Sequence, residues 1–185
     1  MGQDTKRQLA QSMKQLLRKS SIEKITIQEL VELAGVIRPT FYHHFRDKYE
    51  LLEYIIREDL LVPIKPLLVN DMVIEGLTLL FSNIKKERDF YSQAIRIEGQ
   101  NSFESIAVQE VKKLLLEVTE ELFGRNHYRY VWLSRDVIAE YYAQSMCYVA
   151  ITWIKQDYMI EPRELSEVYD YLTKHSMVDI WKEFG

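Results

Sequence analysis

Between Thr26 and Lys48 the chain starts a helix, stops it and starts another, within the stretch TIQELVELAGVIRPTFYHHFRDK. Thr26 followed by Glu29 is a T-x-x-E capping box, in which each side chain satisfies a backbone N–H left free at a helix start. Ile27, Leu30, Val31 and Ala34 then recur at helical spacing and define one buried face. Gly35 ends the helix, because glycine enters the left-handed conformation without a steric penalty. Val36 and Ile37 plug the angle between two crossing helices. Arg38, Pro39 and Thr40 open the second one, with proline in the first turn, where its missing N–H costs nothing. Phe41 and Phe45 lie four apart and face inward. Asp47 with Glu50 has the spacing of a further capping box.

This arrangement leaves Arg38, Thr40, Tyr42, His43 and Arg46 to face outward, and these side chains hydrogen-bond phosphates and base edges. Two short helices joined by a tight turn, the second presenting such residues at its N-terminal end, fit the major groove of duplex DNA. The expected DNA contacts are Thr26, Arg38, Pro39, Thr40, Tyr42, His43 and Lys48. Tyr42 and Thr40 position the backbone, Arg38 reads guanine, and Lys48 at a helix start is a phosphate ligand. Thr26 supplies both a cap and a phosphate contact. His43 and His44 are adjacent and cannot share one helix face, so a metal pair is not expected; His43 points out and His44 packs.

The same run carries a resemblance. A-G-V at 34 to 36, T-F-Y at 40 to 42, H-F at 44 and 45 and D-K-Y-E-L-L at 47 to 52 resemble the N-terminal domain of the TetR family of bacterial regulators. Ile37 stands where family members commonly carry Ser or Thr as the cap of the recognition helix, which leaves that cap without a side-chain acceptor and its phosphate contact without a donor. In the body, Glu98 to Phe103 and Tyr148 to Gln156 look like the C-terminal domain of a TetR subgroup that includes regulators of dihydroxyacetone kinase operons. Members of that subgroup can activate through a partner protein, so the resemblance leaves the sign of regulation open.

Charge is distributed to match. The 185 residues carry a net −4, yet residues 1–48 hold nine Lys and Arg against five Asp and Glu, and the remainder is net −8. A positive head on an acidic body is the electrostatic footprint of DNA binding at one end. A hydrophobic content of 47% with few glycines and prolines suits a packed helical protein. No signal pattern is present, and no apolar run approaches the roughly 18 residues a membrane helix needs. One cysteine, Cys147, excludes an internal disulfide framework. A cytoplasmic protein is expected.

In chain order, Leu9, Met13, Leu16 and Leu17 mark a helix from Asp4 to about Lys19, with Lys6, Arg7, Lys14, Arg18 and Lys19 on its opposite face, where the readings are solvation or, for some, a phosphate contact. A helix from Asp47 to about Leu61 is broken or kinked by Val62 to Pro66, since each proline removes a donor and clashes one turn back. Helices follow from Asp71 to Glu87, Asp89 to Ile97, Asn101 (capped with Glu104) to Leu122, Val131 to Gln156, and Pro162 to Trp181. The fold expected is all-α: a three-helix helix-turn-helix head, residues 1–48, and a helical dimerisation and sensing body, residues 49–185.

Two apolar stripes near the end of the chain suit a four-helix bundle with a symmetry mate. The expected interface is Ile138, Tyr141, Ser145, Tyr148 and Thr152 on one helix, with Leu165, Val168, Leu172 and Ser176 on the other. An effector pocket is expected around Tyr91, Phe103 and Tyr142, with Glu58, Arg96 or Glu110 as polar anchors; the bland reading of such aromatics is plain core. His127 and His175 read as surface residues, and Cys147 as an inert core thiol. No H-E-x-x-H, phosphate-binding glycine loop, C-x-x-C or G-x-S-x-G motif is present. The function expected is a DNA-binding regulator acting as a homodimer on a palindromic operator, controlled by a small-molecule effector or a co-regulator protein. No cofactor, metal or catalytic group is assigned. The reading from another class is an adaptor whose body docks a sensor protein, with DNA binding secondary.

Overall fold

The computed structural model describes residues 2–124, 130 and 132–184, and among them only helices and their connections occur. The head is built from α1 (Gly2–Leu17), α2 (Ile27–Ala34) and α3 (Arg38–His44), with α4 (Lys48–Ile56) packed against α1. Leu9, Met13 and Leu17 of α1, Leu30 of α2, Phe41 of α3 and Leu51, Leu52 and Ile55 of α4 are fully buried. Each helix thus contributes between one and three large side chains to a shared core. That burial, more than propensity, holds helices of this length, which are marginal alone in water.

The chain leaves the head through α4, which runs into a π-helical turn at Arg57–Leu61 and then a short α5 (Lys65–Val69) with Pro66 in its first turn. The expected break around Val62 to Pro66 is there, and the last turn before it is wider than an α-helix. The body follows as α6 (Val73–Lys86), α7 (Arg88–Ala94), α8 (Phe103–Phe123), α9 (Arg135–Lys155), α10 (Pro162–Lys174) and α11 (Met177–Phe184). Its main helix pairs are α8 with α9 and α6 with α10, and its buried side chains join those of the head in one connected core.

Four local readings need correction. The helix expected from Pro162 to Trp181 is two helices: His175 is extended (φ −116°, ψ 144°), and Ser176 caps α11 by accepting from the Asp179 N–H. The cap of α8 is Ser102, whose hydroxyl accepts from the Ser105 N–H, so Asn101 and Glu104 are not its capping pair. Helix α9 begins at Arg135 behind a Ser134 cap, later than Val131, which with His127 lies outside the described residues. At α4, Asp47 accepts from the Tyr49 and Glu50 N–H groups, but Glu50 reaches back to the Arg46 N–H at 2.6 Å, not to Asp47.

A fifth correction concerns how the head meets the body. Lys14 was expected on the solvated face of α1, yet it is only 4% exposed. Its ammonium pairs with Asp59 in the π-helical turn and lies 3.9 Å from Glu87, between α6 and α7, while Arg18 also pairs with Glu87. Asn83 holds the same turn by donating to the Asp59 carbonyl at 3.0 Å. A buried ammonium persists only when paired, so the acids of the body determine where α1 sits. Lys14→Met is expected to cost about 1–2 kcal/mol in urea unfolding, below the figure for a fully buried pair because both carboxylates keep some solvent. An unchanged midpoint would show that the pairs do not bind head to body.

Candidate nucleic-acid interface

The first helix of the motif is fixed as its sequence requires. Thr26 Oγ accepts from the Glu29 N–H at 3.2 Å, and the Glu29 carboxylate accepts from the Thr26 N–H at 2.8 Å and from its hydroxyl at 2.7 Å. These bonds hold the Glu29 carboxyl below the usual range, the backbone N–H of Thr26 contributing most. Gly35 takes φ 68°, and the Gly35 and Val36 N–H groups return to Glu32 and Val31. The turn therefore closes tightly and sets α3 at a defined angle to α2.

Helix α3 is held from beneath. Phe41 and Phe45 are buried with ring centroids 5.9 Å apart, Phe45 meets Tyr54 of α4 edge-on, and Lys6 lies over both of those rings at 5.9 and 5.6 Å. Arg38, Pro39, Tyr42 and His43 are exposed and Thr40 is half-exposed. Arg38 is pre-arranged: its guanidinium lies 5.7 Å from the centre of the Tyr42 ring and donates to the Tyr42 hydroxyl at 3.3 Å. His43 faces solvent while His44 is half-buried, and burial first, then His43 and Lys6, hold the His44 imidazole below its usual range. Among the described residues no group of three or more His, Cys, Asp and Glu is placed to hold a metal.

Two expected DNA ligands are placed differently from the rest. Lys48 directs its ammonium at three backbone carbonyls, Ile22 at 2.6 Å, Ile25 at 3.0 Å and Glu23 at 3.3 Å, so it ties the α1–α2 connection to the start of α4. Thr26 is engaged in its own capping box. Arg46 is likewise paired, with Glu50 at 3.1 Å. The exposed set at α3 is therefore Arg38, Pro39, Thr40, Tyr42 and His43, joined by Ile37, which does not plug the angle between the helices as expected; Val36 alone packs there. Ile37, at the N-cap of α3, makes no capping bond and is 67% exposed.

The body residues divide. Tyr91 and Phe103 line a small, partly enclosed apolar cavity of about 40 Å³ with Leu60, Leu61, Met146 and Cys147. Glu58, Arg96, Glu110 and Tyr142 do not reach it. Glu110 instead pairs with Lys113 beside a separate cleft of about 110 Å³, Arg96 is exposed, and Tyr142 stands on the outer side of α9. The cavity is far below the ~300 Å³ at which ligand pockets usually begin. Burial pushes the Cys147 thiol up to about 12, so it carries essentially no thiolate near neutrality and is inert as a nucleophile.

Of the expected interface residues, Tyr141 and Tyr148 are each 68% exposed and, with Ser145 and Leu172, line an open groove of about 820 Å³ between α8, α9 and α10. Val168 is also exposed, and Ile138 and Thr152 are half-buried. Leu165 does not belong to that surface: it is 5% exposed within the single chain, because α10 turns this side toward α6. Ser176 is engaged as the cap of α11.

Comparison with known proteins assigns this architecture. Residues 14–55 match the family model described as "Bacterial regulatory proteins, tetR family", and residues 71–175, more than half the chain, match "Transcriptional regulator C-terminal region". The chain is 24% identical over 181 residues to the HTH-type dhaKLM operon transcriptional activator DhaS of Lactococcus lactis, covering 95% of this chain and 90% of that protein. It is 22% identical to the HTH-type transcriptional regulator YxbF of Bacillus subtilis, over 90% of this chain and 44% of that one. Similar solved structures include a dihydroxyacetone kinase operon activator DhaS (TM-score 0.59, 22% identity, 91% of this chain and 93% of that one). Another is a TetR transcriptional regulator from Streptococcus agalactiae (TM-score 0.59, 21% identity, 91% and 92% covered). These relatives are regulators and not enzymes, and the matched regions cover both the head and the body: the chain is a member of the TetR family of DNA-binding transcriptional regulators.

Proposed function

We propose that the protein acts as a homodimer on a palindromic operator, with α3 of each head in the major groove and the body, residues 49–185, serving dimerisation and control. The observation that carries this reading is the exposed face of α3, where Arg38, Pro39, Thr40, Tyr42 and His43 stand together on a helix anchored from below by Phe41 and Phe45. Tyr141, Tyr148 and Leu172 on the open side of α9 and α10 are the surface offered to a second copy. A two-fold dimer places its heads on half-sites about 34 Å apart or a multiple of that. An effector or a partner protein shifts the spacing of the heads only by as much as it prefers one arrangement of the body. Action on chromosomal DNA places the protein in the cytoplasm.

The test is a salt titration of binding to duplexes enriched from a random pool. Log affinity is expected to fall linearly with log salt at a slope near −0.9 for each phosphate neutralised, because bound cations release condensed counterions. Tyr42→Ala is expected to weaken binding to random duplexes through the lost backbone contact and to enriched ones further, because Arg38 loses the ring and hydroxyl that hold its guanidinium. Failure of the wild-type protein to enrich any sequence would sink the operator reading and favour a body that docks a sensor protein as the primary function.

A further inference from the structure

We infer that Ile37 is a sequence-reading residue that recognises the 5-methyl group of a thymine in each half-site. The inference rests on the operator reading above and extends it to a base. Ile37 occupies the N-cap of α3 in an extended conformation (φ −100°, ψ 155°), so its side chain does not follow the helical phase that buries Phe41. It stands 67% exposed beside Arg38 and Pro39, at the end of the recognition helix whose first residues approach base edges. Tyr42, whose ring carries the Arg38 guanidinium, is the other large apolar surface exposed on this helix.

Isoleucine at this position works against the helix. Ser, Thr, Asp or Asn would accept an N–H at the start of α3, and no side-chain cap is made there. A branched apolar side chain in water gains nothing in the free protein to offset that loss. In the major groove it meets a suitable partner, because the thymine methyl is the one apolar group that base edges present there. Branching at Cβ also restricts χ1, so the apolar knob is presented with little rotamer freedom to lose on binding. Arg38, held over Tyr42, supplies the polar half of the same reading head.

The experiment uses the full-length protein and the duplex it enriches from a random pool. Each thymine of one half-site is replaced in turn by deoxyuridine, which removes the methyl and keeps the pairing, and affinity is measured by fluorescence anisotropy. Wild type is expected to bind about fourfold more weakly at one thymine position, the effect of withdrawing one methyl-sized contact from water. Ile37→Val is expected to keep that positional response. Ile37→Ser is expected to lose it, binding thymine and uracil duplexes equally, while a restored cap raises its melting temperature.

Indifference of the wild type to uracil at every position would overturn the inference, as would an enriched site with no thymine under α3. An unchanged uracil profile in Ile37→Ser would overturn it as well, by assigning the response to another residue. If no duplex is enriched, the operator reading fails first and the inference fails with it. Tyr42→Ala, which is expected to weaken all duplexes without changing the uracil profile, separates loss of DNA binding from loss of thymine reading.

Discussion

Replacing Phe41 with alanine is expected to destabilise the protein by about 3–5 kcal/mol, the range for deleting a buried aromatic side chain and leaving a cavity. Phe41 is fully buried, packs edge-on to Tyr42 and near Phe45, and sits at the centre of a helix seven residues long. A helix that short has no independent stability, so its anchor carries both the core and the exposed face above it. Phe41→Leu, which keeps most of the volume, is expected to cost less than about 1.5 kcal/mol and to retain DNA binding. Urea unfolding and duplex binding of the two variants check this together. A loss below about 1 kcal/mol for Phe41→Ala would mean that the head refills the cavity readily and that α3 is held by something else.

The second large effect is expected at Lys48. Its ammonium bonds three carbonyls of the α1–α2 connection, and Lys48→Met leaves those acceptors without their donor, at a cost of about 2–3 kcal/mol, as for other hydrogen bonds to charged groups. A phosphate ligand would behave otherwise: removing it would lower the salt slope of DNA binding by about 0.9 and leave unfolding unchanged. The expected result is the reverse, a lower unfolding midpoint and an unchanged slope in the folded protein. A lower slope with unchanged stability would restore Lys48 to the DNA surface.

What the sequence disclosed was local. The Thr26 box, the left-handed Gly35, the proline-led α3 and the inward Phe41 and Phe45 each depend on residues within one or two turns, and each stands as read. The partners of Lys14 and Lys48 were missed for a common reason. A lysine on a helix is ordinarily solvated, and nothing near Lys14 in the chain announces Asp59 or Glu87, just as nothing near Lys48 announces the carbonyls of Ile22 and Ile25. Only the fold brings such partners together. Leu165 shows the limit of an amphipathic stripe, which identifies a face to be covered but not whether α6 or a second copy covers it. The division between α10 and α11 was readable, since Ser176 with Asp179 has the spacing of a helix start, but the apolar periodicity runs on through it.

The π-helical turn at Arg57–Leu61 gives the connection between head and body a property that a plain α-helix would lack. A π turn holds roughly one residue more than an α turn, so one residue of slack is wound into the chain at this point. Passing that residue along the helix rotates whatever follows by about 100° and advances it by about 1.5 Å. Asp59, paired with Lys14 through its carboxylate and held by Asn83 through its carbonyl, ties the residue of slack to α1 and α6 at once.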